Sequence, residues 1–306
     1  MSIFYNQAFE ALFQRHDTMK GAYKRIRKTK LDIQDFEKIL NVFCIQTYDN
    51  RKIQFSKQDA LNYLDKSKKI VNIDFKSEGF LYDLLQSVCV LIEDGLFITF
   101  SHRSFQEYFA SKFIVSSEGA MKKRLLEKYK ADITDDSIFK LVHELDPDFL
   151  EYEIIYPFII DLFDKIELKK KIGITHFLKF SSLMWSQFYF YNGESWAIVN
   201  NEDSINKIVR FILLNIVSSK NYKNLLLGKH TDWIQKQINE SNKSVQRIVF
   251  NIAGSSTTDK IIIELFNSEH YFSKRLLELL FKVKSDLEKK RKVKSEKLEE
   301  FLFKKN

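Results

Sequence analysis

A mainly α-helical fold is what this sequence predicts, and three observations lead there. Glycine and proline are scarce, 8 and 2 in 306 residues, so little in the chain stops a helix. Apolar residues make up 44%, with 28 phenylalanines, which suffices for a core and argues against global disorder. Along most of the length the apolar residues recur at helical spacing. The length suits one large domain or two to three small ones.

Residues 3–16 place Phe4, Tyr5, Ala8, Phe9, Leu12 and Phe13 on one helix face. Residues 33–47 repeat the pattern with Ile33, Phe36, Ile39, Leu40, Phe43 and Cys44. Gly21, in the basic stretch between them, reads as a helix stop. Ser56 and Asp59 have the spacing of a capping box, so a helix starts there, with Ala60, Leu61 and Leu64 on one face. A second helix reads from about Ser77, with Phe80, Leu81, Leu84, Leu85 and Val88 along one side. In "VCVLIEDGLFITF", Asp94-Gly95 between two β-rich runs predicts a hairpin. Alternation puts Leu96, Ile98 and Phe100 on one face of its second strand, and Phe97 and Thr99 on the other. A helix follows, with Phe105, Phe109 and Phe113 in a stripe and Ser104 and Glu107 as its capping box. The order helix, helix, hairpin, helix is that of a winged helix.

From residue 120 onward only helical patterns are legible, which predicts an irregular α-helical array. Asp146-Pro147 reads as N-cap and first helical position. Pro157 kinks or divides the next run. Asn192-Gly193, Gly228 and Gly254 mark breaks. A final helix spans about 271–303, with apolar positions at 280, 283, 287, 298, 301 and 302 that suggest heptads, interrupted by Lys290 and Lys294. The expected organisation is a helical segment over 1–50, a winged helix over 51–118 and a helical C-terminal region over 119–306.

The net charge of +8 is uneven. Residues 15–30 carry seven Lys or Arg against one acid, and residues 282–305 carry ten against five. Those segments are solvated helix faces or contacts for a polyanion, with Lys24, Arg25, Arg27 and Lys28 as the candidate contacts. Cys44 and Cys89 both lie in apolar runs and read as buried thiols in a reducing, cytoplasmic setting. No apolar run reaches the length of a membrane span, and no signal-peptide pattern is present.

The chemistry-bearing motifs are missing. There is no G-x-x-x-x-G-K-[ST], no G-x-G-x-x-G, no C-x-x-C, no H-x-x-x-H and no G-x-S-x-G. The six histidines are scattered, which argues against a local metal site. The expectation is a chain that is not an enzyme and carries no cofactor of its own.

"LFITFSHRSFQEYFASKFIV", residues 96–115, closely resembles the end of the winged-helix domain in NACHT-type STAND NTPases, the NLR-like signalling ATPases. There a strand F-x-F-x-H leads into a helix close to S-F-Q-E-Y-F-A-A. "FYNQAFEALFQRHDTMKGAYKR" is similar to the helical segment after the ATPase core of those proteins, and "FEKILNVFCIQTYDNRKIQFSKQDALNYL" to the helices leading into the winged helix. The resemblance covers about residues 3–116. It implies a regulatory and sensor portion of such a protein, the chain starting after the phosphate loop. It also implies ATP or ADP with Mg in the parent protein, an upstream NACHT ATPase partner and a sensed ligand, a protein, read by the C-terminal region. A role in anti-phage defence follows from the bacterial members, and the load of Phe, Lys, Ile and Asn suggests an AT-rich bacterial genome.

The alternative is a winged-helix nucleic-acid binder with non-specific basic segments. Against it, the candidate reading helix "SEGFLYDLLQSV" carries Glu78 and Asp83 and no Lys or Arg, so phosphate would repel it. His102 has two readings. By strand parity it continues Leu96, Ile98 and Phe100 inward, satisfied by a backbone group. By the resemblance it reaches the β-phosphate of ADP on the ATPase domain.

Overall fold

The computed structural model describes residues 1–14, 27–191, 194–199, 204–217, 228–229, 236, 240, 247–252, 254–268 and 272–303. Lys24, Arg25, Gly21 and Asn192-Gly193 lie outside them. The fold is mainly α, as the composition predicts, with two small sheets. The chain divides into two compact units, 1–150 and 151–306. Residues 119–150, expected with the C-terminal region, therefore belong to the first unit.

In the first unit α1 (Ser2–Gln14), α2 (Ile33–Asp49) and α5 (Arg103–Ser116) surround a phenylalanine core. Phe9 meets Phe109 edge to face at 5.1 Å, and Phe36 stacks on Phe80 at 4.3 Å. All four are essentially inaccessible, which explains much of the demand for aromatic residues. Asp32 caps α2 and Ser56 caps α3 (Lys57–Val71), each accepting from the backbone N–H three residues on. α4 (Ser77–Tyr82) runs into a π-helical turn at 83–87. α6 (Gly119–Tyr129), α7 (Ile138–Leu145) and α8 (Pro147–Leu150) complete this unit. Asp146 caps α8 as expected, its Oδ1 accepting from Phe149 N at 3.2 Å.

The hairpin is present as β2 (Leu91–Asp94) and β3 (Phe97–Phe100), but its two loop residues are Gly95 and Leu96. Gly95 takes φ +60°, the left-handed conformation that glycine supplies without strain. Leu96 is consequently 92% exposed and does not join Ile98 and Phe100, which do face inward. A third strand, β1 (Gln54–Ser56), gives an antiparallel sheet in the order β1-β3-β2. Its three residues are too few for periodicity to reveal.

The second unit corrects the all-helical expectation. α9 (Tyr156–Lys165) and α10 (Ile174–Met184) precede β4 (Trp185–Tyr191) and β5 (Glu194–Val199). α11 (Ser204–Phe211), β6 (Gly228–Lys229), β7 (Arg247–Asn251), α12 (Lys260–Asn267) and α13 (Phe272–Phe303) follow. The four strands form an antiparallel sheet in the order β6-β5-β4-β7. Phe188 and Phe190, two apart, are fully buried, the period of a strand rather than a helix. Gly228 lies in a strand instead of a break, whereas Gly254, at φ +81°, does turn the chain. A π-helical turn at 151–155 precedes Pro157, whose missing N–H cannot continue the helical ladder. α13 buries Leu276, Leu277, Leu280, Val283 and Leu287, and Ser273 shares a hydrogen bond of 2.7 Å with Ser181 of α10.

Candidate functional site

β3 delivers the chain to the site. Ser101 closes the strand, its N–H and its hydroxyl both donating to Val90 O at 2.9 and 3.0 Å. His102 then has φ −151° and ψ 131°, extended backbone that ends one element and begins the next. Its carbonyl accepts from Phe105 N at 3.0 Å, the first turn of α5.

The ring of His102 is the N-cap of α5. Ser104 N donates to Nδ1 at 3.2 Å, and the Ser104 hydroxyl contacts the same nitrogen. The expected capping box at Ser104 and Glu107 is therefore displaced by two residues. Glu107 instead pairs with Arg103 Nε at 2.9 Å and accepts from Ser137 N at 3.3 Å. Inward parity is also corrected: His102 is exposed. Strand geometry stops at Phe100, so parity no longer governs it.

This cap has a chemical consequence. A neutral imidazole has one donor and one acceptor nitrogen. Nδ1 accepts from the helix, so the neutral ring carries its proton on Nε2. Nε2 has no hydrogen-bond partner among the described residues. The junction thus presents an N–H donor on an exposed ring, held by backbone geometry, which is the group a phosphate oxygen accepts from.

Beside it a cleft of about 460 Å³ opens between the end of α2, the start of α5 and the α6–α7 connection. Tyr48, Arg51, Arg103, Gln106, Lys128 and Asp136 are among its walls. Tyr48 donates to Asp136 Oδ2 at 2.5 Å and Ile138 N to Asp136 Oδ1 at 2.9 Å. Burial raises the pKa of both Glu107 and Asp136, and the negative charge of Asp136 raises Glu107 further. Neighbours bring these groups together across 88 residues of sequence between Tyr48 and Asp136, so sequence spacing gave no signal of them.

The basic candidates are only partly displayed. The Arg27 guanidinium lies 3.7 Å from the Phe13 ring centroid and Lys28 Nζ 3.9 Å from that of Tyr82. Asp83, read above as a repulsive charge on an exposed helix, is fully buried. It accepts from Lys28 N, Thr29 N and the Thr29 hydroxyl at 2.8, 2.8 and 2.6 Å. Its role is to fasten residues 28–29 to α4. Of the two acids on that helix, Glu78 is the exposed one.

Cys44 is buried, which pushes its thiol pKa up, while Cys89 is half-buried rather than fully enclosed. No cluster able to hold a metal and no helix long and apolar enough to cross a membrane occurs among the described residues.

Residues 145–302 match the family described as short NACHT-associated C-terminal domain, family 13. No curated protein and no solved structure matches the chain. The matched span nearly coincides with the second compact unit, 151–306, where sequence reading found no motif. The NACHT connection drawn from residues 96–115 and the match over 145–302 lie on different stretches and agree, and on the latter the chain belongs to the short NACHT-associated C-terminal domain family 13.

Proposed function

We propose that this chain is the non-catalytic regulatory and sensor portion of a NACHT-type STAND NTPase, working in the cytoplasm of a bacterium and in anti-phage defence. Residues 51–118 act as its winged helix, a reading supported by the order β1, α3, α4, β2, β3, α5 and by the sheet order β1-β3-β2. The second unit senses the ligand, a protein. ATP or ADP with Mg is held by the upstream ATPase domain, and this chain contributes one group to it, His102.

The observation that carries this reading is the exposed His102 ring with Nδ1 committed to Ser104 and Nε2 left as donor. A donor fixed at a strand–helix junction can bind a phosphate oxygen with little reorganisation. ADP then becomes a clamp between two domains, and exchange for ATP releases it. Arg27 and Lys28 lie over aromatic rings and Glu78 is exposed on α4, so nothing favours sequence-specific DNA reading. Contacts of the basic segments with nucleic acid are non-specific and fall steeply with salt.

The test is differential binding. By calorimetry the chain alone should show no micromolar affinity for ADP or ATP. It should bind the NACHT ATPase domain of its parent protein more tightly when that domain holds ADP than when it holds a non-hydrolysable ATP analogue. Equal affinity for the two forms, or micromolar nucleotide binding by the chain alone, contradicts the reading.

A further inference from the structure

Resting on the reading of His102 as a phosphate donor, we infer that Ser104 is its positioning residue: the Ser104 hydroxyl holds the ring in the orientation and tautomer that turn an N–H outward. An exposed histidine is otherwise loosely set. Its χ2 torsion is broad and roughly two-fold, and a neutral ring can carry its proton on either nitrogen. Burial settles neither choice at His102, which is exposed. Its two contacts at Nδ1 divide the task. The Ser104 N–H can only donate, so it admits only an unprotonated Nδ1 and thereby decides the tautomer. At 3.2 Å, however, it lies at the long end of the hydrogen-bond range and holds weakly. The hydroxyl can donate or accept, so alone it would tolerate either tautomer. Beside the N–H it has one role left, to donate to the same nitrogen, and it supplies the strength that the long bond lacks.

Nothing else among the described residues competes for that hydroxyl. Glu107, the acid that the S-x-x-E spacing offers it, is committed to Arg103 Nε at 2.9 Å and to Ser137 N at 3.3 Å. His176 provides an internal comparison. Its Nδ1 also accepts from a backbone N–H, that of Gly173, at 2.9 Å. That shorter bond comes with no hydroxyl contact among the described residues. His102, with the longer bond, is the ring that has a serine hydroxyl against the same nitrogen. What Ser104 governs is therefore the chemical class of the ligand. A ring fixed with its proton on Nε2 selects an acceptor such as a phosphate oxygen. A ring released to the other tautomer presents a lone pair there part of the time and repels the same oxygen. Holding the donor in place before the ligand arrives also takes the cost of ordering the ring out of binding.

Nitrogen-15 NMR spectra of the imidazole rings, recorded on the chain alone in alkaline buffer where histidines are neutral, read each tautomer and test this. The His102 signals are identified by their loss in His102→Asn. The native chain should show His102 with its proton on Nε2. Ser104→Ala should shift it to an average of both tautomers, and Ser104→Thr, which keeps the hydroxyl, should restore it. His176 should hold its proton on Nε2 throughout. Far-ultraviolet spectra and melts should stay close to native, since alanine suits a helix at least as well as serine, so a changed tautomer reports the ring and not the fold. In the parent protein Ser104→Ala should weaken ADP retention about threefold to tenfold, the value of ordering one freed side chain on binding, and Ser104→Thr should not. The two claims fail separately. A His102 spectrum unchanged in Ser104→Ala, or shifted equally in Ser104→Thr, overturns the positioning role. A shifted spectrum with unaltered ADP retention upholds the positioning role and contradicts the phosphate reading instead.

Discussion

Asp83 and His102 stand at two junctions of the first unit, and the fold uses them in opposite ways. Asp83 begins the π turn after α4, is fully buried, and takes three donors from residues 28 and 29 and a fourth, at 3.3 Å, from the Ser87 hydroxyl. His102 begins α5, is exposed, and has one nitrogen committed to the helix and the other unpartnered among the described residues. A side chain whose polar atoms are all consumed internally is a fastening. A side chain held by one atom while another points outward is equipped to meet something. The contrast separates stability from function more sharply than residue type does, since aspartate is as familiar a ligand-binding group as histidine.

The largest effect is predicted where the fastening is removed. Asp83→Ala strands two backbone N–H groups and two hydroxyls, and should cost about 3 kcal/mol, read as a lower urea midpoint with unchanged slope. A loss below about 1 kcal/mol would show that water or rearrangement satisfies those donors and that Asp83 is no fastening.

A smaller effect is predicted from the carboxylates beside the site. Glu107 and Asp136 both have pKa values raised by burial. A raised carboxyl binds more protons folded than unfolded, so stability falls as pH rises between the ordinary carboxylate value and the raised one. The carboxylates lowered by their partners, such as Asp49 beside Lys128, act below the ordinary value and with the opposite sign, so the two windows separate. Urea melts at stepped pH should show stability decreasing as pH climbs just past the ordinary carboxylate range. Glu107→Gln should flatten that slope, and an unaltered slope would show that Glu107 does not titrate there.

At His102 the effect on the chain alone should be smaller still. His102→Ala removes a cap with a 3.2 Å bond and should cost about 0.5 kcal/mol. His102→Asn should cost almost nothing, because asparagine caps helices well. Smallest of all, Leu96→Ser at the hairpin tip should change stability by less than about 0.5 kcal/mol, since that side chain is 92% exposed. A loss above about 1 kcal/mol there would show that the tip packs on something.

Sequence reached much of this fold because most elements announce themselves locally. Ser56 and Asp146 were legible as caps, Phe36, Ile39 and Phe43 as a helix face, and residues 271–303 as a long terminal helix, since each signal lies within a few residues of the element it makes. The misses share a cause. β1 is three residues long and exists because β3 pairs with it from more than forty residues away. β4 is aromatic enough to read as helix core, and its strand period is enforced by β5 and β7. Asp83 looked like an exposed charge because its partners at 28 and 29 come from 55 and 54 residues earlier. His102 was legible as a residue of interest through its motif. Its capping role was not, because parity was carried two residues past the end of the strand.

The claim that His102 meets a phosphate is tested most directly by His102→Asn, which keeps the cap and removes the outward imidazole N–H. ADP retention should be compared between the parent protein and this variant, by release of labelled ADP from the assembled ATPase. The account predicts roughly tenfold or greater weakening of ADP retention, the value of one hydrogen bond to a charged group, with the stability of this chain unchanged. Unchanged ADP retention in a variant that folds normally would contradict it.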